Sequence, residues 1–414
     1  MKTTSRRILD LHVTDYALTV PLVWDAPDAR TLTVHASVVA RDGGEDLPYL
    51  VYLQGGPGHE APRAFHAPTS PSWLDAALTR YRVVMLDQRG TGRSTPVSDA
   101  VLEWGTDAAV EYLTHLRADS IVRDAEALRE ALGVPTWNTL GQSFGGFTTL
   151  AYLTQASASL DRVFITGGLS AVGLSPDVIY AHTYTKARVM TQAYYRRFPE
   201  HRDVMRGLAE RAAAGDIVLP DGEVVSVSRL RSLGMLLGGD LGWQRLWQLL
   251  ELDPASNAFR YDLAEALPFS MRNPLYYVLH ESSFADGFAT RWAADRVEPE
   301  DFRTDPTLLT GEHVRRDWLD TVPSMRPWRD VALRLAEHEW PRLYDADAIA
   351  ASGARGAAAV YVNDMYVPLE ESMATAALLP GVHTWVTSEH EHSGLRTGPV
   401  LSRLLDLGHD AAMR

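Results

Sequence analysis

Short apolar runs, each stopped by a glycine-rich turn, punctuate the first part of the chain. Leu50-Val51-Tyr52-Leu53 ends in Gln54-Gly55-Gly56-Pro57-Gly58, and the run 81–86 ends in Asp87-Gln88-Arg89-Gly90-Thr91-Gly92-Arg93-Ser94. Runs of this kind predict parallel strands buried on both faces. Before them, residues 8–53 alternate apolar and polar positions, with turn signals at Asp25-Ala26-Pro27-Asp28 and Asp42-Gly43-Gly44, so an antiparallel entry to the sheet is expected. Residues 119–132 read as a helix capped by Asp119-Ser120 and ended by Gly133, with Ile121, Ala125, Leu128 and Leu132 inward. Further strands are predicted at 134–140 and 162–168.

From about 173 to 335 the strand rhythm disappears, and 179–198 and 200–214 read as helices rich in Ala, Arg and aromatic residues. Strand patterns return at 358–362 and 382–386, followed by a last helix at about 399–407. The layout is an α/β core, 1–172 and 336–414, interrupted by a helical block, 173–335. That block is expected over the strand C-termini, where such sheets bind ligands.

The strand at 134–140 runs into Gly141-Gln142-Ser143-Phe144-Gly145, and an apolar helix begins at 146–152. A G-x-S-x-G sequence between strand and helix is a nucleophile elbow, a turn tight enough to push the serine hydroxyl into reach of a substrate. A serine hydroxyl is a weak nucleophile near neutral pH and needs a base oriented by a carboxylate. Both are expected further along the chain, acid first. Asp364 follows the strand at 358–362. Two histidines, His390 and His392, follow the last strand. His392 is preferred as base because it directly precedes the Ser393-Gly394 turn and the closing helix, which leaves His390 as a loop residue. His59, His66 and His383 fall in the wrong order or on a strand and are read as surface or packing residues. Asp87 precedes the serine; with Arg89 and Arg93 it is expected to form a buried ion-pair and turn network bracing the elbow. Backbone N–H groups of Phe144 and of Gly55 or Gly56 are placed to form an oxyanion hole.

Composition narrows the setting. The chain has 414 residues, 46% of them apolar, enough for one large domain with an insertion or for two domains. A net charge of −14 without a Lys/Arg run argues against a nucleic-acid partner and favours a site that attracts cationic groups. With no cysteine, disulfides, thiolate metal sites and a Cys nucleophile are excluded. No long apolar run predicts a membrane span, and the start is too polar for a signal-peptide core, so a cytoplasmic protein is expected.

Gly55-Gly56-Pro57-Gly58, Asp87-Gln88-Arg89-Gly90-Thr91-Gly92-Arg93-Ser94 and Gly141-Gln142-Ser143-Phe144-Gly145-Gly146 together resemble the prolyl aminopeptidases, or proline iminopeptidases. These are serine peptidases of the α/β-hydrolase fold. The resemblance covers roughly residues 10–408, including Trp340-Pro341-Arg342-Leu343-Tyr344-Asp345 and Asp364-Met365-Tyr366-Val367. It implies Ser143 as nucleophile, Asp364 as orienting acid and His392 as base, with no metal or organic cofactor. Many members carry His where this chain has Gln54, a departure expected to touch loop bracing more than chemistry. In the family, cap glutamates bind the free amino or imino group of the substrate. Leu279-His280-Glu281-Ser282-Ser283-Phe284 resembles one such segment and makes Glu281 the candidate; Glu251, near the Trp-rich stretch 243–251, is a weaker match. Phe144, Tyr276, Tyr277 or Phe284 are the candidate walls of a proline pocket. The implied activity is release of an N-terminal residue, preferentially proline, from peptides with a free N-terminus. The same triad would also suit small esters, amides or lactones, and a silent ligand-binding scaffold is the non-enzymatic rival.

Overall fold

The structure is a computed structural model that describes residues 1–26, 28–65, 71–239 and 241–409. Nine strands form one sheet: β1 (Lys2–Ile8), β2 (Leu11–Pro21), β3 (Thr31–Arg41), β4 (Tyr49–Leu53), β5 (Arg82–Asp87), β6 (Trp137–Gln142), β7 (Leu160–Thr166), β8 (Gly356–Tyr361) and β9 (Val382–Thr387). Their spatial order is β1-β2-β3-β5-β4-β6-β7-β8-β9. The first three strands and the β3–β5 contact are antiparallel. From β5 to β9 every neighbour is parallel. This is the mostly parallel sheet of the α/β-hydrolase fold, flanked by helices.

Strands β4, β6 and β8 are buried along their whole length. Side chains alternate across a strand, and here each face feeds its own core. Val51 and Leu53 of β4 pack with Val84, Leu86, Leu150 and Ile165. Leu50 and Tyr52 pack on the other face with Val83, Met85, Leu140, Phe164 and the last helix, Val400–His409.

The edge strand β1 was not anticipated. Its residues are polar and largely exposed; an edge with Lys and Arg has little apolar pattern to read and is guarded against pairing with another chain. The strand expected at 134–140 begins only at Trp137, because Val134 and Pro135 offer their carbonyls to Arg129 and belong to the turn after the helix Ala118–Ala131. Asp119 lies in the first turn of that helix instead of capping it; the N-cap is Arg117.

Between β7 and β8 lie two long helices, Pro176–Arg197 and Glu200–Ala213, and many short ones down to Ala346–Ala351. The long pair matches the expected ranges closely. The block also holds a small antiparallel bridge between Val218 and Val224.

Asp87 and Arg93 pair as expected, Arg93 Nε lying 3.8 Å from Asp87 Oδ2, but Arg89 stands apart from them. Arg89 is fully buried and pairs with Asp124 (Nε to Oδ2 2.7 Å), also donating to the carbonyls of Leu22 and His115. Asp87 accepts two bonds from Arg63, both 2.8 Å, and one each from the Ala61 and Arg93 N–H groups. It therefore braces the loop that follows β4 rather than the serine turn. Removing one partner of a buried pair leaves an uncompensated charge. Asp124→Ala should lower unfolding stability by about 3–5 kcal/mol, read as a reduced denaturant midpoint at unchanged slope; a loss under about 1 kcal/mol would mean that the carbonyls alone satisfy Arg89.

Candidate active site

Ser143 sits in the turn between β6 and the helix Phe144–Ala156, at φ 55 and ψ −124. This left-handed conformation is costly for a residue with a Cβ, about 1–3 kcal/mol, and the surroundings enforce it. A Cβ on Gly141 would overlap the Gly145 carbonyl, and one on Gly145 would overlap the Leu53 carbonyl. Strand, turn and helix are thus pressed against β4 more closely than any side chain permits. The Ser143 N–H is held by the Thr166 carbonyl at 3.0 Å.

Asp364 follows β8 and is buried. Its Oδ1 accepts from the N–H groups of Tyr366 (2.9 Å) and Val367 (3.0 Å). Its Oδ2 lies 2.7 Å from His392 Nδ1. With Nδ1 donating to this carboxylate, Nε2 is the free acceptor, the arrangement a general base requires. The His392 N–H donates to the Gly238 carbonyl (3.0 Å), and the Tyr366 ring meets the imidazole edge-on at 4.9 Å. Burial alone would lower the His392 pKa, but Asp364 outweighs it, and the net shift is upward. Gly167, at φ 51, passes so close behind the pair that a Cβ there would lie 3.1 Å from His392 Nδ1 and 3.2 Å from Asp364 Oδ2.

His390 takes no part in this pair. Its ring packs against Gly398 and, at 6.1 Å, Tyr361. His383 lies on β9, and His66 falls outside the described residues. His59 is more than a packing residue: it meets Tyr276 edge-on at 4.8 Å and also lines the cavity that contains the serine. Burial lowers its pKa to about 4.

That cavity measures about 1000 Å³, and Ser143, His392, Gly55, Gly56, Tyr276 and Glu312 are among its lining residues. Gly55 runs beside the serine: a Cβ built on it would lie 2.9 Å from Ser143 Cβ. Phe144 opens its helix, so its N–H belongs to the first turn and has no intrahelical acceptor. Gln54 turns its amide oxygen to the Tyr52 hydroxyl (2.6 Å), while its backbone carbonyl accepts from Gln88 (2.9 Å).

The two glutamates proposed from sequence lie elsewhere. Glu281 is buried and accepts from the N–H groups of Ala293 (3.1 Å) and Ala294 (2.9 Å), capping the short helix Ala293–Arg296. It does not line the cavity, and burial raises its pKa to about 7. Glu251 ends the helix Gly242–Leu250, is 51% exposed and pairs with His201 at 3.1 Å. Neither reaches the serine. The Phe144 ring is packed edge-on against Phe147 (6.1 Å), which in turn meets Phe284 at 5.5 Å. Tyr277 is buried with its hydroxyl on the Arg315 carbonyl. Of the four candidate aromatic walls, Tyr276 alone lines this cavity.

Two other glutamates do line it, neither proposed from sequence: Glu60, which is held by Arg272, and Glu312. Glu312 sits in the irregular segment between the helices Glu300–Thr304 and Trp318–Thr321, hydrogen-bonded to the Tyr276 hydroxyl, with His280 Nε2 4.0 Å away. Burial pushes its pKa up to about 7, against the opposing pull of His392 and Tyr276. The only signal in the sequence was the buried run Thr307-Leu308-Leu309-Thr310-Gly311 leading straight into an acidic residue.

Among the described residues, one group could offer three metal-ligand atoms within 4.8 Å of one another: His12, Asp42 and Glu45. It lies at the β2–β3 end of the sheet, where Arg7 already bonds Asp42. No described helix is long and apolar enough to cross a membrane.

A family model for the alpha/beta hydrolase fold matches residues 48–208. A proline iminopeptidase of Aeromonas sobria is 37% identical over 97% of this chain and 98% of its own length. The chain belongs to the proline iminopeptidase family. The proline iminopeptidase aneH of Aspergillus aculeatus is 28% identical, covering 93% of this chain and 91% of its own. Among solved structures, an alpha/beta fold family hydrolase from Bacillus anthracis covers 96% of this chain and 99% of its own at 15% identity and a TM-score of 0.41.

The Asp364–His392 contact has a direct spectroscopic consequence. The proton on Nδ1 should give a low-field resonance that titrates above the ordinary histidine value and vanishes in His392→Ala while persisting in His390→Ala. Its retention in His392→Ala would assign it to a different histidine.

Proposed function

We propose that this chain is a serine aminopeptidase that releases an N-terminal residue, preferentially proline, from peptides. The observation that carries this reading is one cavity lined by Ser143, by the carboxylate-held imidazole of His392 and by the partly buried carboxylate of Glu312. A hydrolase of simple esters has no use for a partly buried carboxylate in the cavity of its nucleophile; an exopeptidase needs one to bind the substrate's cationic amine by charge-assisted hydrogen bonds. The proline iminopeptidases of Aeromonas sobria and Aspergillus aculeatus support the same reading.

In this mechanism His392 Nε2 takes the hydroxyl proton as Ser143 Oγ attacks the first peptide carbonyl. Asp364 fixes the imidazole and stabilises its cation. The N–H groups of Phe144 and of Gly55 or Gly56 hold the oxyanion; loss of one such donor costs about 3 kcal/mol in the barrier. The imidazolium passes its proton to the leaving amine, the C–N bond breaks, and an acyl-enzyme remains. Water, deprotonated by the same imidazole, then releases the free amino acid. Residues 173–335 act as a cap over the core formed by 1–172 and 336–414, supplying Met235, Leu236, Arg272, Tyr276 and Glu312 to the cavity wall. A cytoplasmic setting completes the proposal and rests on the sequence reading alone.

Two experiments test it. Proline-β-naphthylamide should be hydrolysed and its N-blocked analogue refused, with Ser143→Ala and His392→Ala inactive and His390→Ala largely active. Ready turnover of the blocked analogue and of a p-nitrophenyl ester would show an esterase or amidase instead.

The second concerns pH. Productive binding needs Glu312 ionised and His392 neutral, and both groups hold their protons above their ordinary range. The acid limb of kcat/KM should therefore involve the uptake of two protons, one by Glu312 as pH drops through about 7 and one by His392 above its ordinary value. Glu312→Gln should lower kcat/KM for free-amine substrates by about tenfold or more. It should also leave a one-proton limb displaced to lower pH, because the anion that stabilises the imidazolium is gone. An unchanged rate and slope would remove Glu312 from the amine site.

A further inference from the structure

The cavity is electrically lopsided in a chain of net charge −14. Its lining includes four arginines, Arg63, Arg245, Arg272 and Arg396, against two glutamates, Glu60 and Glu312. Three of the four are already engaged by carboxylates. Arg63 is held by Asp87, Arg272 by Glu60 at 2.5 Å, and Arg245 lies 3.7 Å from Glu265. Arg396 differs: its side chain donates to a neutral amide, Nη2 to Gln142 Oε1 at 3.2 Å. Among the described residues no carboxylate pairs with it.

Its position relative to the serine follows from Gly55. A Cβ at that glycine would lie 2.7 Å from Gln142 Oε1 and 2.9 Å from Ser143 Cβ, so those two atoms are close neighbours. Arg396 Nη2, one hydrogen bond beyond Gln142 Oε1, is thus within about 9 Å of Ser143 Cβ, an upper limit that two to three extended residues cover. A substrate with its amine on Glu312 and its first carbonyl at Ser143 directs the rest of its chain away from Glu312. In a dipeptide or tripeptide the terminal carboxylate then falls one or two residues past the scissile bond.

We propose that Arg396 binds the free C-terminal carboxylate of di- and tripeptide substrates, and that the enzyme is thereby selective for short peptides with an unblocked C-terminus. The proposal rests on the aminopeptidase reading and adds to it the leaving-group side of the site. Guanidinium matches carboxylate geometry with two parallel N–H donors, and Arg396 is exposed on the cavity side of the short helix Gly394–Thr397, free to swing its fork from Gln142 to a ligand. The interaction operates in partial contact with water, so a moderate and salt-sensitive effect is expected.

The test compares kcat/KM for Pro-Ala with that for Pro-Ala-amide, and for Pro-Gly-Gly with its amide, by chromatographic detection of released proline. Wild type should favour each free acid by about two- to fivefold at low salt, with the ratio shrinking as ionic strength rises. In Arg396→Gln the acid-to-amide ratio should approach one, in Arg396→Lys part of it should remain, and in Arg272→Gln it should persist. Each ratio is taken within one variant, so a general loss of activity or stability cancels. Equal rates for acid and amide in wild type, or a preference that survives in Arg396→Gln, overturn the assignment while leaving the aminopeptidase reading intact. Failure to hydrolyse proline-β-naphthylamide and both dipeptides overturns the two together.

Discussion

The architecture depends on how closely the serine turn is driven into the sheet. Ser143 holds a left-handed conformation because β6, the helix Phe144–Ala156 and β4 approach one another with no volume left for a Cβ at Gly141 or Gly145. The same approach places Gly55 alongside the serine and exposes the Phe144 N–H at the start of the helix. One steric constraint therefore fixes Ser143 in its turn and sets the Gly55 backbone beside it. The local strain is balanced by the two cores on either face of the sheet, which fix β4 and β6 over their full length.

The base is positioned by a different principle. His392 is carried on a loop after β9, and a loop alone does not hold an imidazole in register. Here Asp364 orients the ring, two backbone N–H groups orient Asp364, and the Gly238 carbonyl of the helical block anchors the His392 backbone. Tyr366 joins both parts, its hydroxyl on the Met235 carbonyl and its ring against His392. The helical block is thus part of the support of the proposed catalytic base as well as a wall of the cavity. A change at Met235 or Gly238 would be felt in the reactivity of His392, although neither residue has any chemistry of its own.

What the sequence made legible follows the same division. Parallel strands announce themselves by apolar runs ending in glycine, and β4, β5, β7, β8 and β9 lie within a few residues of their expected ranges. Ser143, Asp364 and His392 were singled out because each follows such a strand; the structure brings Asp364 and His392 into contact and lines one cavity with Ser143 and His392. Glu281 and Glu251 were chosen by resemblance of short segments, and neither lines the cavity that contains Ser143. Glu281 is consumed by the backbone of a helix start, and Glu251 by His201. Which glutamate faces the serine is decided by how irregular segments fold over the core, through contacts such as Tyr276 with Glu312, and no periodicity encodes those. The Asp87–Arg63 pair was missed for the same reason: Arg63 belongs to a loop whose course is set by the structure it packs on. Edge strand β1, polar from Lys2 to Arg7, has little apolar signal to offer.

Charge, finally, gives the cavity a direction. A carboxylate with a pKa near 7 stands on its inner side by His392, and arginines stand around the rest of its wall. A short peptide in neutral solution is a zwitterion with its ammonium at one end and its carboxylate at the other. Such a ligand is stabilised in one orientation and opposed in the reverse one, where ammonium meets guanidinium and carboxylate meets Glu312. In the proposed site, end-on register follows from the opposite charges of Glu312 and Arg396 in one cavity, without a tight fit along the whole substrate. A neutral ester or lactone draws nothing from this arrangement, yet the enzyme would still bear the desolvation of Glu312 in every state. A partly buried acid in the same cavity as Ser143 is best accounted for by a substrate that arrives with a cation to match it.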